Sequence, residues 1–151
     1  MKLLGLFLFT GLSRQYIYNL KNSNFLFEDG VYKLEIMKDD KIFKLPIKAE
    51  LQLVINEYCI NLDQSNMEDK VFKLDENYLS SVVGDLCKRV IGKKYSPTTF
   101  SNTFIALALS NGNYVWEVSN LVLESVSSVA QHIMDDAELL EKKQTSILNS
   151  F

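Results

Sequence analysis

The chain has 151 residues, of which 47% are hydrophobic and 23% are charged, so it can bury the core of one ordinary globular domain. Its formal net charge of −3 and its pI near 5.2 argue against a protein whose main work is holding phosphates, although a local basic face remains compatible with them. Cys59 and Cys87 lie in apolar periodic segments without a C-x-x-C spacing. We therefore expect buried, reduced thiols in a cytoplasmic protein rather than a disulfide or a metal site.

The N-terminal stretch MKLLGLFLFTGLSRQ carries a lysine ahead of an apolar run, as secretory signals do. The apolar run is too short to span a bilayer, and no small-x-small cleavage site follows it at a convincing place. We therefore predict no membrane association for this stretch. A short helix is expected over residues 13–20.

Extended chain follows this helix. Apolar and polar residues alternate over residues 25–27, 31–36 and 41–45, and turn residues separate these segments at Glu28-Asp29-Gly30 and Asp39-Asp40. This pattern predicts a small antiparallel sheet of three strands that ends at Pro46. The fold class that we expect is α+β, mostly α-helical, with a small three-stranded antiparallel sheet near the N-terminus.

The remainder of the chain has helical periodicity. The predicted helices cover 49–60, 76–90, 97–110, 115–122 and a last segment from about 129 to 142, and residues 61–69 form a surface loop. In the helix over residues 76–90, which Gly92 closes, the side chains expected to face inward are Tyr78, Leu79, Val82, Val83, Leu86 and Val90.

The most strongly patterned stretch runs from Ser96 to Glu124. Ser96-Pro97 is typical of a helix start, because serine caps a free N–H group and proline at the first helical position lacks one. Asn111-Gly112 is typical of a helix end. The apolar face between them is formed by Phe100, Phe104, Ile105, Leu107, Ala108 and Leu109.

This stretch resembles the catalytic domain of tyrosine recombinases, the phage-integrase family, whose pattern is P-H-x-L-R-H-T-F-A-x-x-L-x-x-x-G. The residues that match are Pro97, Thr103, Phe104 and Gly112, with Phe100 in place of the first leucine and Leu107 one position before the second. Three further stretches fit the same order: Thr10-Gly11-Leu12 resembles the family's T-G-L-R, Lys38 to Ile47 resembles its K-T-G-K-x-x-x-V-P-L hairpin, and Val71-Phe72 precedes a helix start. The resemblance implies an apolar helix over residues 1–12 that is broken at Gly11. It also implies a single domain over residues 1–151 with the tyrosine-recombinase catalytic-domain fold, lacking the family's separate N-terminal DNA-clamping domain.

The family's reactive groups are largely missing at the corresponding places. Lys38 stands where the hairpin lysine would be, which is the one active-site position that is retained. The positions that have changed are Ser13 and Ser101 for the two arginines, Thr98 for a histidine, Leu123-Glu124 for Gly-His, and Ile133 or a neighbour for the tyrosine nucleophile. The last tyrosine, Tyr114, precedes the helix on which the nucleophile would lie. No catalytic residue, metal or cofactor is therefore expected, and the single histidine, His132, is expected on a surface or helix face.

Candidate DNA contacts are the basic residues Arg14, Lys38, Lys41, Lys88, Arg89, Lys93 and Lys94. Arg14 lies one position beyond the family's arginine, and one position turns a helical side chain by about 100°. A solvated or ion-paired arginine is therefore favoured over one that reaches the phosphate pocket. The cluster from Lys88 to Lys94 contacts phosphate or serves as a solvated cap at a helix C-terminus, where cations are favoured in any case.

Because most of the family's reactive side chains are absent, the resemblance implies a catalytically inactive relative from a mobile element. Such a relative would act as an accessory or regulatory DNA-binding factor. Its partners would be duplex DNA, a recombinase or other protein subunit, and a second copy through the C-terminal segment. One alternative is a protein-interaction module on a repurposed fold, which the acidic balance favours. The other is an active recombinase with displaced residues.

Overall fold

The computed structural model describes residues 2–151. These residues form eight α-helices and one three-stranded sheet, together with short 3-10 turns at residues 22–24 and 64–66. The elements in chain order are α1 (Lys2–Thr10), α2 (Arg14–Tyr18), β1 (Phe25–Glu28), β2 (Val31–Lys38), β3 (Lys41–Pro46), α3 (Ala49–Ile60), α4 (Glu76–Ile91), α5 (Pro97–Ser110), α6 (Val115–Val122), α7 (Val126–Met134) and α8 (Ala137–Leu148). The predicted fold class, mostly helical α+β with this sheet near the N-terminus, is confirmed.

The sheet is antiparallel with the order β1-β2-β3, and its hairpins have two-residue loops. In the first loop Asp29 and Gly30 have positive φ angles of 53° and 81°, and in the second Asp39 and Asp40 have φ angles of 51° and 60°. Positive φ at both central residues matches the right-handed twist of the strands on either side. The second loop places Lys38 opposite Lys41 at the tip of the hairpin.

Helix α1 lies at the centre of the fold, where Leu6 and Phe7 are fully buried. It ends at Gly11, whose φ of +70° favours glycine. A Cβ atom built on Gly11 would lie 2.4 Å from Cδ1 of Phe104 and 2.8 Å from Cγ1 of Val122. At the end of α1 the backbone of Gly11 is therefore in direct contact with side chains of α5 and α6. Residues 12–16 follow next to these two helices.

Two clusters of buried side chains form the core. The larger one joins α1, α2, the sheet, α3 and α4, and it includes Leu123 just beyond the end of α6. The smaller one joins helices α5 to α8 and includes Ile105, Leu109 and Val122. Leu123 thus anchors the end of α6 in the larger cluster while the residue before it belongs to the smaller one.

The C-terminal part differs from the prediction of one helix to about residue 142. Two helices are present, because Asp136 has extended backbone angles and its carboxylate accepts a hydrogen bond from the Leu139 amide at 3.0 Å. Such an N-cap starts a new helix. The apolar spacing continues across the break, so periodicity alone did not indicate it.

Some side chains predicted to face inward are exposed. On α4 the buried stripe is Leu79, Val83 and Cys87, at four-residue spacing, while Tyr78 and Val90 lie at its sides and are exposed. On α5 the buried pair is Ile105 and Leu109. Leu107, two positions from each, points to the opposite side of the helix and is exposed. Among residues 2–151, no helix has the length and apolarity needed to cross a membrane.

Candidate functional site

The backbone carbonyl of Leu123 is the point at which three distant parts of the chain meet. Leu123 has a φ of 58° in the left-handed region, and its side chain is buried. Its carbonyl oxygen accepts a 2.7 Å hydrogen bond from Nζ of Lys38 and a 3.4 Å hydrogen bond from the hydroxyl of Tyr16. The β2–β3 hairpin, α2 and the end of α6 therefore converge at one oxygen atom.

A second contact joins α5 to the same region. The hydroxyl of Ser101 donates a 3.1 Å hydrogen bond to the carbonyl oxygen of Leu12, which immediately precedes Ser13. Ser13 is the N-cap residue of α2, and Tyr16 lies on the same short helix. The structure thus brings together the regions of Ser13, Lys38, Ser101 and Glu124, four of the predicted positions. We call this group, with Tyr16, Asp39 and Leu123, the Leu123 site.

Two predicted positions lie elsewhere. Thr98 is exposed in the first turn of α5, about one helical turn before Ser101. Ile133, on α7, is half-buried and packs against the smaller core cluster. Ile133 is therefore part of the packing of the C-terminal helices.

Tyr16 and Asp39 are members of the site that sequence reasoning missed. The pKa of Tyr16 is raised above its ordinary value by burial first, and then by the negative charges of Glu124 and Asp39. The resemblance located a tyrosine only on the C-terminal helix, so this one went unnoticed. The available signal was its spacing, since Tyr16 follows Ser13 by one helical turn and shares its helix.

The electrostatic surroundings of the Tyr16 hydroxyl are mixed. Glu124 is half-buried, and its backbone is held in place because the Ser119 hydroxyl donates to the Glu124 carbonyl at 2.6 Å. Lys38 supplies one positive charge, which is engaged with the Leu123 carbonyl. The carboxylates of Glu124 and Asp39 favour the neutral phenol over the phenolate.

Arg14 is turned towards α4. Its Nη1 donates a 3.0 Å hydrogen bond to the Ser80 hydroxyl, and its Nη2 lies 4.0 Å from Oε1 of Glu76. Arg14, for which a solvated or ion-paired side chain was favoured, is thus partly exposed and lies within ion-pair distance of Glu76. Its role here is to connect α2 to the first turns of α4.

The basic cluster lies at the other end of α4. Its members Lys88, Arg89, Lys93 and Lys94 are all exposed, and Lys94 forms a 3.2 Å ion pair with Asp85. Glu76 and Lys88 are twelve residues apart on α4, which corresponds to about 18 Å along its axis. Arg14 and the basic cluster are thus separate. Lys41 is exposed at the hairpin tip, opposite Lys38.

Other polar groups have structural partners. His132 hydrogen-bonds to the Ser128 carbonyl at 3.2 Å and to Oδ1 of Asn102 at 3.3 Å, which confirms its place on a helix face. Both cysteines are free; Cys87 is buried and Cys59 is half-buried. Within the described part of the chain, no three His, Cys, Asp or Glu side chains are arranged to hold a metal ion.

No family model matches the sequence, and no curated protein matches it. Among solved structures, the XerA recombinase superposes with a TM-score of 0.72 and 19% identity, over 96% of this chain and 55% of that chain. The fold is that of tyrosine recombinases.

Two structures of the XerH site-specific recombinase share this recombinase fold. The post-cleavage complex with palindromic difH substrate superposes with a TM-score of 0.69 at 19% identity, over 95% of this chain and 44% of that one. The pre-cleavage complex with difH gives 0.68 at 18% identity, over 91% and 44%. The chain therefore spans about half the length of the recombinases it matches.

Proposed function

We propose that this chain is a catalytically inactive tyrosine-recombinase-like protein, derived from a mobile element, that acts as an accessory or regulatory DNA-binding factor. The observation that carries the proposal is the chemistry of the Leu123 site. Where the family resemblance implies groups that neutralise a phosphate, this site has serine hydroxyls, one lysine and the carboxylates of Asp39 and Glu124.

The lysine that is retained is engaged in a structural contact. Its ammonium group donates to the Leu123 carbonyl at 2.7 Å, so it would have to break a charge-assisted hydrogen bond before it protonated a leaving oxygen. Ser101 likewise donates to the Leu12 carbonyl. These contacts stabilise the fold. Because both donors are engaged by backbone carbonyls, neither the Lys38 ammonium group nor the Ser101 hydroxyl is readily available to bind phosphate.

The tyrosine at the site is poorly suited to be a nucleophile. Attack on phosphorus requires the phenol oxygen to lose its proton, and nucleophiles of this kind are activated by a nearby base or a lowered pKa. The pKa of Tyr16 is shifted upwards by burial and by Glu124 and Asp39. The same two carboxylates repel the phosphate that Tyr16 would attack.

DNA binding is supported by the exposed cations and by the fold. Lys41, Lys88, Arg89 and Lys93 form no ion pair within residues 2–151, and they are therefore free to contact phosphate. The XerH structures that share the fold are complexes with difH substrate. Binding through such contacts is expected to be electrostatic, and hence to weaken as salt increases.

A gel-shift series across salt concentration tests the DNA-binding part of the proposal. We expect the variant K88Q/R89Q/K93Q to bind duplex DNA more weakly. The slope of log binding constant against log salt concentration should become shallower by up to about one unit for each phosphate contact that is lost. The variant K21Q/K73Q/K142Q removes the same charge elsewhere and serves as the control. An absence of salt-dependent binding at low ionic strength removes DNA from the proposal.

Covalent trapping tests the claim that the chain is catalytically inactive. The protein is incubated with nicked suicide DNA substrates, in which a cleaved strand cannot be rejoined, and is then analysed for a protein–DNA adduct by denaturing gel electrophoresis. We expect no adduct. An adduct that is lost in the variant Y16F would establish an active enzyme with a displaced nucleophile, and this result would overturn the proposal.

The second candidate function is a protein-interaction module on the same fold. It is favoured by the net charge of −3, which opposes general binding to a polyanion. In this case size-exclusion chromatography would show a complex with a recombinase subunit, while the salt series would show no DNA binding by the chain alone.

A further inference from the structure

The turn between α5 and α6 contains Asn111-Gly112, the chain's one Asn-Gly sequence. Asn111 is the C-cap residue of α5, and Gly112 follows it with a φ of +95°. Both residues are exposed, and within residues 2–151 the side-chain amide of Asn111 forms no hydrogen bond. This amide is therefore free to change its rotamer beside the main-chain nitrogen of Gly112.

Three other helices in the described part of the chain also end at an asparagine, which gives matched positions for comparison. The C-cap asparagines have φ angles between −87° and −75° and are Asn19, Asn61, Asn111 and Asn149. The side-chain amides of Asn19 and Asn61 donate to main-chain carbonyls at 2.9 and 3.0 Å, and each residue precedes a leucine. Asn149 is exposed, has no such side-chain hydrogen bond among the described residues, and precedes Ser150. Asn111 thus differs from all three, because a free amide is followed by glycine.

The missing side chain of Gly112 leaves its main-chain nitrogen accessible. A Cβ atom built on Gly112 would have no heavy atom within 4 Å, apart from its chain neighbours. The N–H group of Gly112 donates a 3.1 Å hydrogen bond to the Leu109 carbonyl at the end of α5, where such bonds open readily. Once this bond opens, rotation about the Cα–C bond of Asn111 brings the Gly112 nitrogen towards Cγ, the side-chain carbonyl carbon of Asn111.

We propose that Asn111 is a site of spontaneous deamidation, which yields aspartate and isoaspartate. The Gly112 nitrogen attacks Cγ and forms a new C–N bond, and the bond between Cγ and the side-chain nitrogen breaks. That nitrogen leaves as ammonia and takes the proton of the Gly112 N–H group. Solvent water then opens the cyclic imide: cleavage at Cγ gives aspartate, and cleavage at the main-chain carbonyl carbon gives isoaspartate.

Both products should weaken this end of the molecule. Each places a carboxylate at the C-terminal end of α5, where the helix dipole disfavours negative charge. Isoaspartate also adds a carbon atom to the main chain of the turn. The Asn113 carbonyl, two residues further on, accepts a 2.5 Å hydrogen bond from Nζ of Lys143 on α8, so a longer turn displaces the contact that joins it to α8.

Mass spectrometry of proteolytic peptides tests the proposal on the whole folded chain, incubated at body temperature and mildly alkaline pH. We expect the modified fraction to increase about tenfold or more faster at Asn111 than at Asn149, because the Ser150 side chain hinders the attack. G112A should slow the reaction at Asn111 by about tenfold or more. S150G is the reciprocal variant at an exposed terminal position, and it should accelerate the reaction at Asn149. Equal rates at Asn111 and Asn149, or a rate at Asn149 that S150G leaves unchanged, would overturn the proposal.

Thermal unfolding measures the consequence. We expect the midpoint of the parent chain to fall as the modified fraction rises, and that of N111Q to stay constant, because glutamine would have to form a larger ring. Before any incubation, N111D should unfold at a lower temperature than the parent chain. An equal fall in N111Q and the parent chain would place the damage at other residues and overturn the effect assigned to Asn111.

Discussion

The ammonium group of Lys38 donates a 2.7 Å hydrogen bond to the carbonyl oxygen of Leu123, which lies 85 residues further along the chain. Lys38 is at the end of β2, and Leu123 follows the last residue of α6. The bond therefore fastens the hairpin to the C-terminal helices. Lys38 thus has an evident structural role.

Removal of this hydrogen bond should destabilise the fold. In K38M the apolar stem is kept and the donor is lost, and we expect the free energy of unfolding to fall by about 1–2 kcal/mol, because Tyr16 still hydrogen-bonds to the same carbonyl. Urea denaturation measures this change. K41M, at the exposed partner position of the hairpin, is the control and should be nearly neutral. Equal midpoints for the two variants would contradict a structural role for Lys38.

Most of the fold could be predicted from the sequence, because its signals are local. The caps at Ser96 and Gly92 and the two hairpin turns each depend on residues close in the chain, and the structure has them where they were expected. The break at Asp136 was missed because apolar spacing continues through it. It depends on one side-chain hydrogen bond.

The site was predictable only as a set of positions. The resemblance named Ser13, Lys38, Ser101 and Glu124, and the structure brings their regions together. It could not indicate what those side chains do, since the partners are the backbone carbonyls of Leu12 and Leu123, which carry no sequence signal. The spacing of Tyr16 from Ser13 placed it near the site, but its contact with the Leu123 carbonyl, 107 residues further along the chain, could not be predicted from the sequence.

Two glycines with positive φ should respond very differently to alanine. Gly11 has no room for a methyl group, because its Cβ would lie 2.4 Å from Phe104, so G11A should cost about 3 kcal/mol or more through strain and displaced core side chains. Gly112, with a φ of +95°, has open space around it. G112A should therefore cost only about 1–2 kcal/mol, the penalty for a left-handed alanine. Thermal and urea unfolding of both variants provides the comparison, and similar losses would contradict the close packing at Gly11.

The raised pKa of Tyr16 should be measurable and should depend on its acidic neighbours. Burial is its main cause, and Glu124 is the next, so E124Q is expected to lower the pKa towards its ordinary value of 10.0 without reaching it. NMR titration of labelled tyrosine follows this change, with E141Q on exposed α8 as the control. A pKa that is unaffected in E124Q would show that Glu124 is more distant or better screened than the structure indicates.

The same shift sets the sign of a pH dependence. A phenol whose pKa is raised by folding binds its proton more tightly in the folded state. Its contribution to stability is complete below the unfolded-state value of about 10 and is lost as the pH rises through the folded-state value. Stability should therefore fall less steeply with pH in Y16F than in the parent chain at alkaline pH. A steeper fall in Y16F would contradict the upward shift.

The C-terminal end of the chain should mediate self-association. Leu139 anchors α8 in the smaller core cluster, whereas Ile147 and Leu148 at its far end are 60% and 71% exposed. Apolar side chains grouped in this way lose water contact when two copies meet. We expect the sedimentation coefficient of the parent chain to rise with concentration, and that of I147E/L148E to stay constant. L53E, at an equally exposed position on α3, should behave as the parent chain does; loss of association in this control would place the contact elsewhere.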